Sequence, residues 1–424
     1  MFHLMTPQLP LIFSLLLVLV SAKILGEIAE RFGQPSMIGE VLAGVILGPS
    51  LLGVVSNTPE LKVLADLGVF LLIVMAGLEI EAEDIRNSVR GKNAWIVLLG
   101  FIVPFIGGFF TGYAFHFNNT FSVILGLCIA ITALPVSIRI LMDMGKMNTE
   151  VGRKIISTAI FNDIVSLLVL GVILDFNDES RRLKDIAYTS AFTIGKIALF
   201  VLFLMLAYRL FKLLKAKVGI VNPKVNEFLH YLRGKESLFA LVIVFVLAFS
   251  SISEAMGLHF IVGAFFGAIL LPRSIFVKGD FKKVKESTSG ITMGFLAPVF
   301  FATLGLSINV SSLGNAMFLI AVLGVSFFSK IFGGYAGGRL AGLNRTTSLT
   351  IGLGLNARGI MEMVIANIAL QRGFIDVPVF SILVIMALLT TIFTPFFLQY
   401  GFSLIERNGL RNTKHRARHT EHGA

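Results

Sequence analysis

The sequence predicts an all-α polytopic membrane protein: thirteen transmembrane helices arranged as inverted six-helix repeats, with two broken crossing helices. Three observations lead there. Apolar runs of about 20 residues recur along the chain, basic residues crowd into alternate connections, and the two halves share ordered motifs. The chain is 55% hydrophobic and 14% charged with mean hydropathy +0.86, so as a soluble domain it would expose far too much apolar surface. A β-barrel is excluded, because barrel strands are about ten residues long and alternate in polarity.

Taken in order, the first span is 9–28. It lacks the basic lead and small-residue cleavage site of a secretory signal and reads as a retained helix. Spans follow at 36–55, 61–80, 94–116, 120–142, 151–174 and 188–213. The connection 212–235 holds Asn222-Pro223 and six basic residues. Beyond it come 236–256, 258–272, 290–309, 315–339, 347–371 and 377–404, the first two divided only by Gly257. Residues 1–187 form the first repeat, 188–235 a linker span with its loop, 236–405 the second repeat and 406–424 a basic tail. That tail has no apolar stripe and reads as a disordered, lipid-facing segment, too short for a nucleotide-binding domain of about 100 residues.

Basic residues test the count of spans. With charges at span ends counted with the adjoining connection, connections after odd-numbered spans and the tail hold 25 Lys and Arg; the others hold 5. That places the odd connections and C-terminus in the cytoplasm and the N-terminus outside, in a bacterial inner membrane. The net charge of +11 therefore reflects topology and not a nucleic-acid surface.

The halves echo each other in order. Gly44, Ile46 and Pro49 of span two match Gly267, Ile269 and Pro272 of span nine. Gly77-Leu78-Glu79-Ile80 matches Gly305-Leu306-Ser307-Ile308, and 122–127 matches 348–353. Each pair lies seven spans apart, an odd number that inverts direction, which is how many secondary transporters are built.

Such transporters bind ions at the midplane where discontinuous helices meet. Pro135, in Thr132-Ala133-Leu134-Pro135, cannot donate its backbone bond and obstructs the carbonyl near Ile131. In the partner span, glycines surround Asn356 and end at Gly359. Asp163, in Ile160-Phe161-Asn162-Asp163-Ile164, has about a dozen residues of its span on either side, which puts it near the midplane, where a carboxylate costs about 2.5–3.5 kcal/mol on insertion scales. Lys330 is a mid-span cation without a partner in its own helix, which points to a relation with Asp163. Arg358 and Glu362 sit four apart on one helical face and read as a structural ion pair. Glu40, Glu79, Lys23 and the other charges near span ends read as snorkelling or paired at the interface.

An enzyme is not expected: the chain shows no phosphate loop, nucleophile–base set or metal-ligand spacing, and no cofactor. The lone Cys128 lies inside a span and excludes a disulfide framework.

With these residues in view, the chain resembles the monovalent cation:proton antiporter superfamily, nearest the branch of Kef-type transporters and plant cation/proton exchangers. The likeness rests on Gly39-Glu40 through Gly48-Pro49-Ser50, Ala76-Gly77-Leu78-Glu79, 132–139, Phe161-Asn162-Asp163, Ser329-Lys330 and 356–359. It implies a homodimer whose mobile core domain carries the broken helices, Asp163 as alternating ligand of cation and proton, and Lys330 facing it. Two features depart from single patterns. Asn162-Asp163 matches electroneutral exchangers, yet Thr158 stands where those carry Glu, and Lys330 where they favour Arg. Stoichiometry is left open by that mixture, as is the choice of Na⁺ or K⁺.

The expected function is cation/proton antiport by competition for one carboxylate, with Asp163, Asn162 and Thr132 supplying oxygens to the cation. Lys330, Arg358 and Glu362 supply supporting charge. The partners are Na⁺ or K⁺, protons and membrane lipid. The alternatives are a cation channel or efflux component, and a sodium-coupled organic anion symporter.

Overall fold

The computed structural model describes residues 9–80, 91–174, 195–196, 199–200, 202–207, 209, 235–256, 258–271, 280–309 and 316–421. All secondary structure among them is helical. Eight helices are long and apolar enough to cross a membrane, and four shorter apolar helices lie between them. Of span 188–213, only scattered helical residues are described. Most of the 212–235 connection lies outside the described residues.

The chain folds into two compact units, each drawing on both sequence halves. The first comprises Met1–Ala82 and Leu167–Ile308. It contains α1 (Leu11–Arg31), α2 (Ser36–Leu47) and α3 (Pro59–Glu79) from the first half. The second half adds α8 (Lys235–Ala255), α9 (Phe260–Leu270), α10 (Asp280–Ile291) and α11 (Ala297–Ser307), the last two joined through a π-helical turn, Thr292–Leu296. Helix α2 packs on α11 with backbones in contact: a Cβ on Gly305 would fall 2.8 Å from the Cα of Gly44. Small residues allow such approach where lipid supplies no hydrophobic drive between helices.

Two helices of this unit are shorter than the sequence suggests. The span 36–55 is helical only through Leu47, and 258–272 only over Phe260–Leu270. Each ends at a residue preceding proline, Gly48 before Pro49 and Leu271 before Pro272, and both preceding residues have ψ outside the helical range. Proline disfavours the helical conformation in the residue before it. The charges also depart from simple snorkelling. Glu79 pairs with Lys285 at 3.5 Å and Lys23 donates to the Met293 carbonyl at 2.6 Å. Glu40 is buried beneath α1, where the missing side chain of Gly26 leaves it room.

The second unit comprises Glu83–Ser166 and Asn309–Ala424. Its first-half helices are α4 (Asn93–Ala114), α5 (Asn119–Ala130), α6 (Leu134–Asp143) and most of α7 (Glu150–Leu174). From the second half come α12 (Ala316–Leu340), α13 (Arg345–Gly354), α14 (Ile360–Gln371) and α15 (Val377–Glu421). Helix α12 packs on α4 and α13, and α15 covers α13 and α14.

Helix α15 runs on into the basic tail, where the sequence suggested disorder. Extension from an existing helix needs no new nucleus, only one hydrogen bond per residue fixed.

The interrupted helices start alike. Asn118 Oδ1 accepts from Phe121 N–H at 2.7 Å to cap α5, and Asn344 Oδ1 accepts from Thr347 N–H at 2.7 Å to cap α13. One turn on, Ser122 and Ser348 each donate back to the capping residue's carbonyl. Such caps satisfy amide hydrogens that have no partner inside the helix.

A candidate ion site at two interrupted helices

Between α5 and α6 the chain is extended over residues 131–133; between α13 and α14 the non-helical stretch is 355–359. Pro135 stands in the first turn of α6, where its missing N–H costs nothing. The two stretches are joined by hydrogen bonds. Ala133 N–H donates to the Ala357 carbonyl at 2.9 Å, and Thr132 Oγ1 donates to the Leu355 carbonyl at 3.1 Å. Asn356 turns back on its own helix, its amide donating to the carbonyls of Gly352 and Leu353. Gly359 has an extended backbone and precedes α14.

A helix that ends inside protein must place its last carbonyls. In α5, Leu127 O accepts from Ile131 N–H, Cys128 O from Arg358 Nη1, and Ala130 O from both Lys330 Nζ and Asn162 Nδ2. Two buried cations from the second half therefore hold the negative end of a first-half helix, the favourable sense for its dipole.

Lys330 is fully buried and has an acceptor for each ammonium hydrogen: Ala130 O, Gly100 O at 3.3 Å and Thr132 Oγ1 at 2.7 Å. Lys330 and Asp163 interact electrostatically, as expected of a facing pair, but no direct hydrogen bond joins them. The break in α5 frees a carbonyl and presents a hydroxyl, and the ammonium takes these instead. Thr132 is saturated: it donates to Leu355 and accepts from Lys330 and from Asn162 Nδ2 at 3.1 Å.

Asp163, next to Asn162 on α7, is fully buried, and neither carboxylate oxygen has a hydrogen-bond partner. The side-chain oxygens of Asn162, Asn356, Ser137 and Ser166 are likewise buried and unpartnered. Buried polar atoms in native proteins nearly always have partners. Asn162 reaches the break in α5 and Asp163 adjoins it on α7, so the unpartnered oxygens of these two have the donor chemistry a dehydrated alkali cation requires.

Arg358 and Glu362 form the buried ion pair expected, at 3.6 Å. The backbone N–H and C=O of Arg358 are both bonded to Thr391 Oγ1.

The family model described as "Sodium/hydrogen exchanger, transmembrane" matches residues 14–399. The chain belongs to this exchanger family. It is therefore an integral, multi-pass membrane protein of the monovalent cation:proton antiporter superfamily, as its motifs suggested. It is 30% identical over 391 residues to the "Na(+)/H(+)-K(+) antiporter GerN" of Bacillus cereus, covering 92% of this chain and 96% of that one. To "Cation/H(+) antiporter 18" of Arabidopsis thaliana it is 30% identical over 413 residues, 91% of this chain and 48% of the plant protein. Among solved structures, the sodium proton antiporter MjNhaP1 from Methanocaldococcus jannaschii shares the fold. The TM-score is 0.69 at 18% identity, covering 92% and 97% of the two chains.

In this family member, sequence reasoning singled out Asp163, Asn162, Thr132, Lys330, Arg358, Glu362, Pro135, Asn356 and Gly359. The second unit contains all nine, and a chain of hydrogen bonds through Thr132 links Asn162, Lys330 and the second break. It passed over Ser137, Ser166 and Thr391, because a hydroxyl in an apolar helix carries no mark of whether it bonds its own backbone.

Proposed function

We propose that this chain exchanges a monovalent cation, Na⁺ or K⁺, for protons across a bacterial inner membrane by alternating access of Asp163 to the two sides. The observation that carries this reading is the Asp163 carboxylate, fully buried with both oxygens unpartnered beside two interrupted helices. An ionised carboxylate there is costly until a cation or a proton neutralises it. The two compete for the same oxygens, so each displaces the other and transport is obligatory exchange. Lys330 and Arg358 brace the break and keep a positive environment near the carboxylate. The names of the bacterial and plant relatives, which speak of Na⁺, K⁺ and H⁺ antiport, agree with this reading.

The wider arrangement in the proposal is thirteen spans in inverted repeats, with the N-terminus outside, the C-terminus cytoplasmic and the basic tail against lipid. Matching caps at Asn118 and Asn344 and the paired breaks support the repeat. So do the like ends of α3 and α11, where Ile80 and Ile308 N–H bond the carbonyls of Gly77 and Gly305. The transporting species is a homodimer.

Proton flux in proteoliposomes tests the reading. Wild type is expected to move protons only when Na⁺ or K⁺ is present on the opposite side, and Asp163→Asn to abolish this flux while the protein stays folded. Retained exchange in Asp163→Asn would refute the assignment, and proton flux without a counter-cation would indicate a channel.

A further inference from the structure

Buried hydroxyls on the helices of the second unit ordinarily bond their own backbone. Thr158, Ser326, Thr350, Ser381, Thr390 and Thr394 each donate to a carbonyl three or four residues earlier, at 2.7–2.8 Å. This is the usual local solution for a hydroxyl inside a helix. Ser166 does not adopt it. It is fully buried in α7, yet its hydroxyl has no partner there or elsewhere among the described residues. A rotamer that gave up the local bond costs stability unless something else uses the oxygen.

The helix decides where that oxygen lies. Ser166 is three residues after Asp163 and four after Asn162, so the three share one face. Helical side chains lean toward the N-terminus, which aims Ser166 back over the turn carrying the carboxylate. No hydrogen bond joins it to Asp163, although hydroxyl to carboxylate is a strong pairing. The hydroxyl and both carboxylate oxygens are thus left without a hydrogen-bond partner on one face of α7. Asn162 Oδ1, on the same turn, is also unpartnered.

We infer that the Ser166 hydroxyl is a ligand of the transported alkali cation and separates cation binding from proton binding at Asp163. The inference rests on the exchange proposed above. A proton on the carboxylate needs no second oxygen, whereas a dehydrated Na⁺ or K⁺ needs several. Loss of Ser166 then weakens the cation and leaves the proton unaffected.

The test uses the full chain in proteoliposomes, with proton flux measured against Na⁺ and K⁺ concentration at several pH values. Ser166→Ala is expected to raise the half-saturating cation concentration about tenfold or more, the worth of one contact to a charged group. With no cation on the proton-loading side, the half-saturating proton concentration and the maximal rate should stay within about twofold of wild type. Ser166→Thr, which keeps the hydroxyl, should restore wild-type half-saturation. If Ser166→Ala leaves half-saturation unchanged, or lowers only the maximal rate, the residue is structural and the inference falls while exchange stands. Wild-type proton flux without a counter-cation would overturn both.

Discussion

The Thr132 hydroxyl binds three groups at once, a lysine ammonium, an asparagine amide and a carbonyl of the opposite break. Thr132→Val keeps the shape and removes the oxygen, so Lys330 and Asn162 each lose a buried acceptor. The expected cost is about 1–3 kcal/mol of stability together with loss of most exchange. Thermal melting in detergent and proteoliposome flux would check both, and Thr132→Ser should retain most of each. The same pattern explains what was legible at this scale. Asp163, Lys330 and Arg358 stand out in a sequence because ionisable groups in apolar runs are rare. The acceptors Lys330 finds do not stand out, since two of the three are carbonyls that every residue carries and only the fold exposes.

At the scale of elements, position matters through close backbone approach. Lys330 reaches the break because α12 lies against α13, where a Cβ on Gly334 would fall 2.5 Å from the Cα of Gly352. Gly334→Ala must push the helices apart and draw Lys330 off Thr132. Overpacking of this kind costs about 1–3 kcal/mol. A lowered melting temperature together with reduced exchange would bear this out, and a variant indistinguishable from wild type would refute it. The interruptions themselves were readable, from Pro135 in one helix and from the glycines around Asn356 in the other. The short α2 and α9 were less so: hydropathy continues past Gly48 and Leu271, and only the prolines that follow mark where helical geometry stops.

At the scale of the molecule, each compact unit takes helices from both halves of the sequence. The site follows the same rule, with Asp163, Asn162 and Thr132 from the first half and Lys330, Arg358 and Asn356 from the second. Separately expressed fragments 1–222 and 223–424 are accordingly expected to be inactive alone and to regain exchange when co-expressed. Flux from vesicles holding either fragment by itself would contradict this.

The cationic capping of α5 also has a bearing on biosynthesis. A ribosome adding about 5–20 residues per second takes roughly ten to forty-five seconds to travel from residue 130 to the codons for Lys330 and Arg358. Through that interval the new α5 stands in the bilayer with the carbonyls of Cys128 and Ala130 lacking the cations that will hold them. The nascent first half must be sheltered, by the insertion machinery or by its own provisional pairing, until the second half arrives.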